Sequence, residues 1–127
     1  MEPQSELLLR VKEKIEEQLK LNISRKELAE DGQVYIELGA GYTEKKYVRG
    51  PSIYIHPILF ICKSSDEGYC LDTLSGICNL FKRTRKTPAG ETYSGMGLQV
   101  AAEPNKIGRQ EDGQVLYSCI INYRITY

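Results

Sequence analysis

The sequence predicts an α+β fold: a single, mostly antiparallel sheet with two helices packed on one face, in the order α-β-(arm)-β-α-β-β. Three observations lead there. Residues 114–127 alternate without a break, with Val115, Tyr117, Cys119, Ile121, Tyr123, Ile125 and Tyr127 on one side, a period-two pattern that no helix accommodates. Two other segments place apolar residues three or four positions apart, as an amphipathic helix does. The chain has 127 residues, 41% of them hydrophobic, which suits one globular domain with its own core.

Taken in order, Ser5 to Asn22 reads as the first helix, with Leu8, Val11, Ile15 and Leu19 in one stripe, Ser5 as the cap and Glu6 favouring the helix dipole. Residues 1–4 are expected to lie outside the ordered domain. Asn22-Ile23-Ser24 matches a glycosylation acceptor but reads as a plain helix end. Asp31-Gly32 signals a turn, and Gln33 to Leu38 reads as a strand with Val34, Ile36 and Leu38 on one face. The charged stretch 40–51 reads as a projecting arm or loop.

Ser52 to Lys63 is the strongest strand. Ile53, Ile55, Leu59 and Ile61 share one face, and Tyr54, Ile58, Phe60 and Cys62 the other. Pro57 implies a bulge or an edge position. Ser64-Ser65-Asp66-Glu67 starts the second helix, which runs to about Thr84 with Cys70, Leu71, Leu74, Ile77, Cys78 and Phe81 as its buried face. Residues 84–96 read as a long loop. A short strand, Leu98 to Glu103, is expected to end at Pro104, and a polar connection through the turn Glu111-Asp112-Gly113 leads into the closing strand. With both helices on one side of the sheet, Tyr54, Ile58 and Phe60 are expected to be exposed on the other and to mark a protein–protein interface.

Composition restricts the chemistry. Lys+Arg and Asp+Glu number 17 each, so the formal charge is zero, which disfavours nucleic acid as the main partner. No apolar run approaches the ~18 residues of a membrane span, and Met1-Glu2-Pro3-Gln4 lacks a secretory pattern. The one histidine, His56, excludes a three-histidine zinc site and reads as structural, because no acidic or nucleophilic residue adjoins it. Cys62, Cys70, Cys78 and Cys119 match no common zinc spacing and read as buried, reduced thiols. Cys70 and Cys78 lie about two turns apart on one helix, too far to bond. P-loop, dinucleotide, nucleophile-elbow, HExxH and EF-hand patterns are absent. Lys82, Arg83, Arg85 and Lys86 close the second helix, either as favourable dipole charges or as a surface for an acidic partner or nucleic acid.

The ordering of parts resembles the tail terminator, or tail-completion, proteins of long-tailed bacteriophages, also labelled minor capsid proteins. The resemblance is carried by the helix Glu6 to Lys20, the strand and charged arm Val34 to Pro51, the apolar strand Ser52–Cys62 and the crossover helix Cys70–Phe81. It is closest at the end, where Gln110-Glu111-Asp112-Gly113 turns into a closing strand ending Ile121-Asn122-Tyr123-Arg124-Ile125-Thr126-Tyr127. The family's Pro-rich stretch after the first helix is missing from Asn22 to Gln33.

The resemblance implies a virion component assembled in the bacterial cytoplasm: a homo-oligomeric ring, typically a hexamer, that caps the tail tube and meets the head connector. It implies no active site, no cofactor, no metal and no membrane, and partners that are further copies, tail-tube and head-connector proteins. Neighbouring subunits would cover the apolar sheet face. Glu44, Lys45, Lys46 and Arg49 in the arm and Lys82, Arg83, Arg85 and Lys86 after the second helix would line the interface or the lumen, touching DNA weakly and without sequence choice. Two other readings stand beside it. One is a small α+β protein-binding module acting as monomer or dimer, which takes a peptide by strand addition. The other is an enzyme built around His56 or a cysteine.

Overall fold

The structure is a computed structural model, and it describes residues 1–25 and 32–127. The expected turn residue Asp31 lies outside the described residues. The elements run α1 (Pro3–Leu19), β1 (Ile23–Ser24), β2 (Val34–Leu38), β3 (Tyr42–Lys45), β4 (Ile53–Ser64), α2 (Glu67–Thr84), β5 (Ser94–Arg109) and β6 (Val115–Thr126). The expected α+β architecture is present: one sheet, with β1-β2-β4-β6-β5 side by side and β3 also on β4, and every pairing antiparallel except β1 with β2.

Helix α1 begins earlier than expected. Pro3 occupies its first turn, where a fixed φ and a missing N–H cost nothing, and extended Glu2 rather than Ser5 is the cap residue. Residues 3 and 4 are therefore part of the domain, and Gln4 Nε2 donates to the Tyr127 hydroxyl at 3.0 Å. The helix ends at Leu19 because Lys20 turns left-handed (φ 56°). Helix α2 is capped by Asp66, whose carboxylate accepts from Tyr69 N–H at 3.2 Å. Its buried face is Cys70, Leu74, Ile77, Cys78, Leu80 and Phe81; Leu71, expected inside, is 42% exposed.

The central strand is β4. It pairs along its whole length with β6, while β2 and β3 share its other edge. Pro57 is tolerated here without a bulge toward β6. Its carbonyl accepts from Gly39 N–H at 2.8 Å, so its missing N–H faces the gap where β2 has ended and β3 has not begun. Strand β5 is far longer than the expected Leu98–Glu103: it passes through Pro104 to Arg109, because it lies at the sheet edge, where a missing donor faces solvent. Its register against β6 shifts at several bulges. The arm is a short strand, β3, followed by an exposed tip at 46–51.

One core lies between the helices and the sheet. It joins Leu7, Val11 and Ile15 of α1, the buried face of α2, Val34 and Ile36 of β2, Ile58, Phe60 and Cys62 of β4, and Val115, Cys119, Ile121, Tyr123 and Ile125 of β6. Phe81 meets Tyr123 edge-on at 5.4 Å between ring centroids. The alternation of β6 thus points its uninterrupted apolar side at the helices. The register then decides β4: Ile58 faces Ile121 and Phe60 faces Cys119, so from His56 onward the even-numbered residues of β4 are the buried ones.

Candidate functional site

This register overturns the expected interface. Ile58 and Phe60 are completely buried beneath the helices. Tyr54 lies on the same side, packed against the core and stacked on Tyr127 at 4.2 Å between centroids. Apolar residues on both sides of β4 left the choice of face open from that strand alone, and pairing with β6 made it.

The opposite face of the sheet is the one the helices leave open. Across it run Tyr35 beside Ile61, Leu59 beside Ile120, and Leu116 beside Lys63. None of Tyr35, Leu59, Ile61, Leu116 and Ile120 belongs to the core or packs on it, and each is half-buried. Among the described residues no helix covers this face. Glu37, Lys63, Gln99, Asn122 and Arg124 frame it, so an apolar stripe is rimmed by polar side chains, the anatomy of a contact surface. These residues escaped the sequence reading. The one available signal was the parity that pairs odd positions of one strand with even positions of the other.

At one end of this face the arm folds back onto the sheet. Tyr42 and Arg124 sit at the register position of Ile55 from either side, and Glu44 forms an ion pair with Arg124 that spans β4. Ile53 and Ile55 are buried there, outside the main core. Lys45, Lys46 and Arg49 are exposed, with the Lys45 ammonium 5.2 Å from the centre of the Tyr47 ring. Of the cations closing α2, Lys82 is held by Glu103 on β5, which raises its pKa, and Arg83, Arg85 and Lys86 point to solvent. The structure thus brings Glu44 to Arg124 and Lys82 to Glu103, and among the described residues the other expected charges form no ion pair.

His56 is 6% exposed and its Nε2 lies 3.3 Å from the Tyr127 hydroxyl, in a near-parallel stack with Tyr54 and Tyr127. Burial lowers its pKa, which favours the neutral ring. The packing is tight enough that a Cβ on Gly41 would come within 2.5 Å of His56 Nδ1, so this position requires glycine. Among the described residues its polar neighbour is the Tyr127 hydroxyl, and no carboxylate bonds it.

The four cysteines are free and buried. Cys78 of α2 hydrogen-bonds Cys119 of β6, and that bond, together with burial, pushes the Cys119 thiol far up, so it stays protonated. The Tyr123 hydroxyl sits fully buried nearby, without a hydrogen-bond partner among the described residues. Among the described residues no group of three or more His, Cys, Asp or Glu side chains could hold a metal ion.

One residue has a larger role than its position suggested. Glu6 is 3% exposed, and its carboxylate accepts from Glu91 N–H (2.8 Å), Thr92 N–H (2.7 Å), Thr92 Oγ1 (2.6 Å) and Arg10 Nη2 (3.0 Å). These donors, Thr92 Oγ1 foremost, lower its pKa from 4.5 to about 2. Glu6 therefore fastens the α2–β5 connection to α1.

No helix among the described residues is long and apolar enough to cross a membrane. Comparison with protein-family models and with curated proteins finds no match for this chain.

Proposed function

We propose that this chain is a non-enzymatic assembly protein of the phage tail terminator type, which self-associates through the open face of its sheet. The observation that carries the reading is the stripe Tyr35, Leu59, Ile61, Leu116 and Ile120, half-buried and uncovered among the described residues. Helices close only the other side of the sheet, so the remaining apolar surface is available to a neighbouring subunit. The two-sided apolar character of β4 then has a cause: one side builds the subunit, the other joins subunits.

The ring, the tail tube and the head connector enter through the sequence resemblance. Long edge strand β5 offers a poorer surface for association, because Pro104 removes a donor and its bulges disturb the edge, as in strands protected against pairing. That weighs against peptide capture by strand addition.

Size exclusion with light scattering over a rising concentration series tests the proposal. Self-assembly predicts a mass that climbs from one subunit to a closed oligomer. A single-subunit mass throughout the series overturns it and favours the monomeric binding module.

A further inference from the structure

A depression of about 420 Å³ opens at the arm end of the sheet's uncovered face. That volume falls within the roughly 300–1,000 Å³ of small-molecule sites. Tyr42 and Glu44 of β3, Asn122 and Arg124 of β6, and Gly97 and Gln99 of β5 line it, together with buried Ile55 of β4. The strand register gathers them: Tyr42, Ile55 and Arg124 share one row, and Asn122 and Gln99 share another.

Several of these groups have no use within the subunit. The Arg124 Nε is buried without a hydrogen-bond partner among the described residues, although the same guanidinium reaches Glu44 through Nη2. A buried donor left unmade is costly and calls for a partner. The side-chain amides of Gln99 and Asn122 form no hydrogen bond among the described residues. Tyr42 is 56% exposed. An added Cβ at Gly97 would meet nothing within 4 Å, so the backbone leaves room that packing does not require.

The charges select the class of ligand. Arg124 and Glu44 neutralise each other, so the carboxylate opposes an anion and the guanidinium opposes a cation. What remains is a donor in Arg124 Nε, donors and acceptors in two carboxamides, and a flat ring. A hydroxyl offers one donor and two acceptor positions, so a neutral ligand with several neighbouring hydroxyls satisfies this set. A pyranose also has an apolar C–H face to lie on an aromatic ring.

We propose that this depression binds a neutral pyranose sugar, with Tyr42 packed on the sugar ring and Arg124, Asn122 and Gln99 hydrogen-bonded to its hydroxyls. An extended peptide fits less well, because it adds to the edge of a sheet, whereas here four strands present their face. None of Tyr35, Leu59, Ile61, Leu116 and Ile120 lines the depression, so sugar binding does not rest on self-association.

Saturation-transfer NMR tests it on the wild-type protein with the methyl glycosides of glucose, galactose, mannose and N-acetylglucosamine. N-acetylalanine amide serves as the peptide probe and inorganic phosphate as an anionic competitor. The method observes the small molecule, so it works whether or not copies associate, and light scattering on the same samples reports assembly separately. At least one glycoside is expected to bind with a dissociation constant on the order of 1 mM, with transfer strongest to one face of its ring. Tyr42→Ala and Asn122→Ala should each weaken binding about fivefold, and Gly97→Leu, which occupies the open room, about tenfold. Circular dichroism verifies that each variant remains folded. Absence of transfer to all four glycosides at about 10 mM, an affinity unchanged in any of the three variants, or displacement by equimolar phosphate overturns the proposal. So does transfer to N-acetylalanine amide as strong as to the glycosides, which would assign the depression to a peptide.

Discussion

Replacing Tyr123 with Phe should stabilise the protein. The Tyr123 side chain of β6 is completely buried against α2, and its hydroxyl has no hydrogen-bond partner among the described residues. Burying an unsatisfied hydroxyl costs about 1–3 kcal/mol, and Tyr123→Phe removes that cost while keeping the ring against Phe81. The oxygen leaves a small void, which takes back part of the gain, so a net stabilisation of about 1 kcal/mol is expected. For 127 residues the unfolding entropy is about 0.27 kcal/mol per kelvin, so the midpoint should rise by about 4 °C. Calorimetry under reducing conditions, with the four thiols kept free, measures it. A midpoint that falls by several degrees would refute the reasoning, because it would mean that the hydroxyl is satisfied in solution, by a buried water or a neighbouring thiol.

Three further outcomes follow from the same packing. Glu6→Gln should speed hydrogen exchange at the Glu91 and Thr92 amides, because a neutral amide accepts more weakly than a carboxylate. Since the folded pKa of Glu6 lies below its unfolded value, its contribution is present above pH 4.5 and lost as the pH falls toward about 2; the stability of the variant should therefore change less across that window. Gly41→Ala should destabilise by about 1–3 kcal/mol in a denaturant titration, because the new methyl meets His56 Nδ1 and the Ile55 carbonyl, and an unchanged midpoint would contradict the close packing described. On α2, Leu80→Ala should cost about 2–5 kcal/mol and Leu71→Ala about 0.5 kcal/mol or less, and the reverse ranking would show that the helix presents a different face.

Much of this fold is legible in the sequence, for reasons that differ by element. The period of β6 is unambiguous because one of its sides is apolar at every position, and the helices announce themselves through stripes that must be buried. The limits of β5 were hidden, because an edge strand can carry Pro104, Asn105 and Lys106 where a central strand could not. The face of β4 was hidden for a deeper reason. With Ile and Leu on one side and Ile and Phe on the other, hydrophobicity cannot rank the two, and the outcome depends on a pairing register that no local pattern states. The same parity moved the candidate interface from Tyr54, Ile58 and Phe60 to Leu59, Ile61 and Ile120. Glu6 was legible as a first-turn acid but not as a fastener, since its partners lie 85 and 86 residues away.

The sharpest examination of the open face is sedimentation velocity on the double variant Leu59→Glu/Ile120→Glu, beside wild type and beside Leu71→Glu, a control on an exposed helix position. The double variant should sediment as a single subunit that circular dichroism shows to be folded, with a lowered melting midpoint because the two glutamates face each other across β4 and β6, while wild type and the control form the larger species together. A double variant that assembles as wild type does would contradict the assignment of this surface to contact between copies.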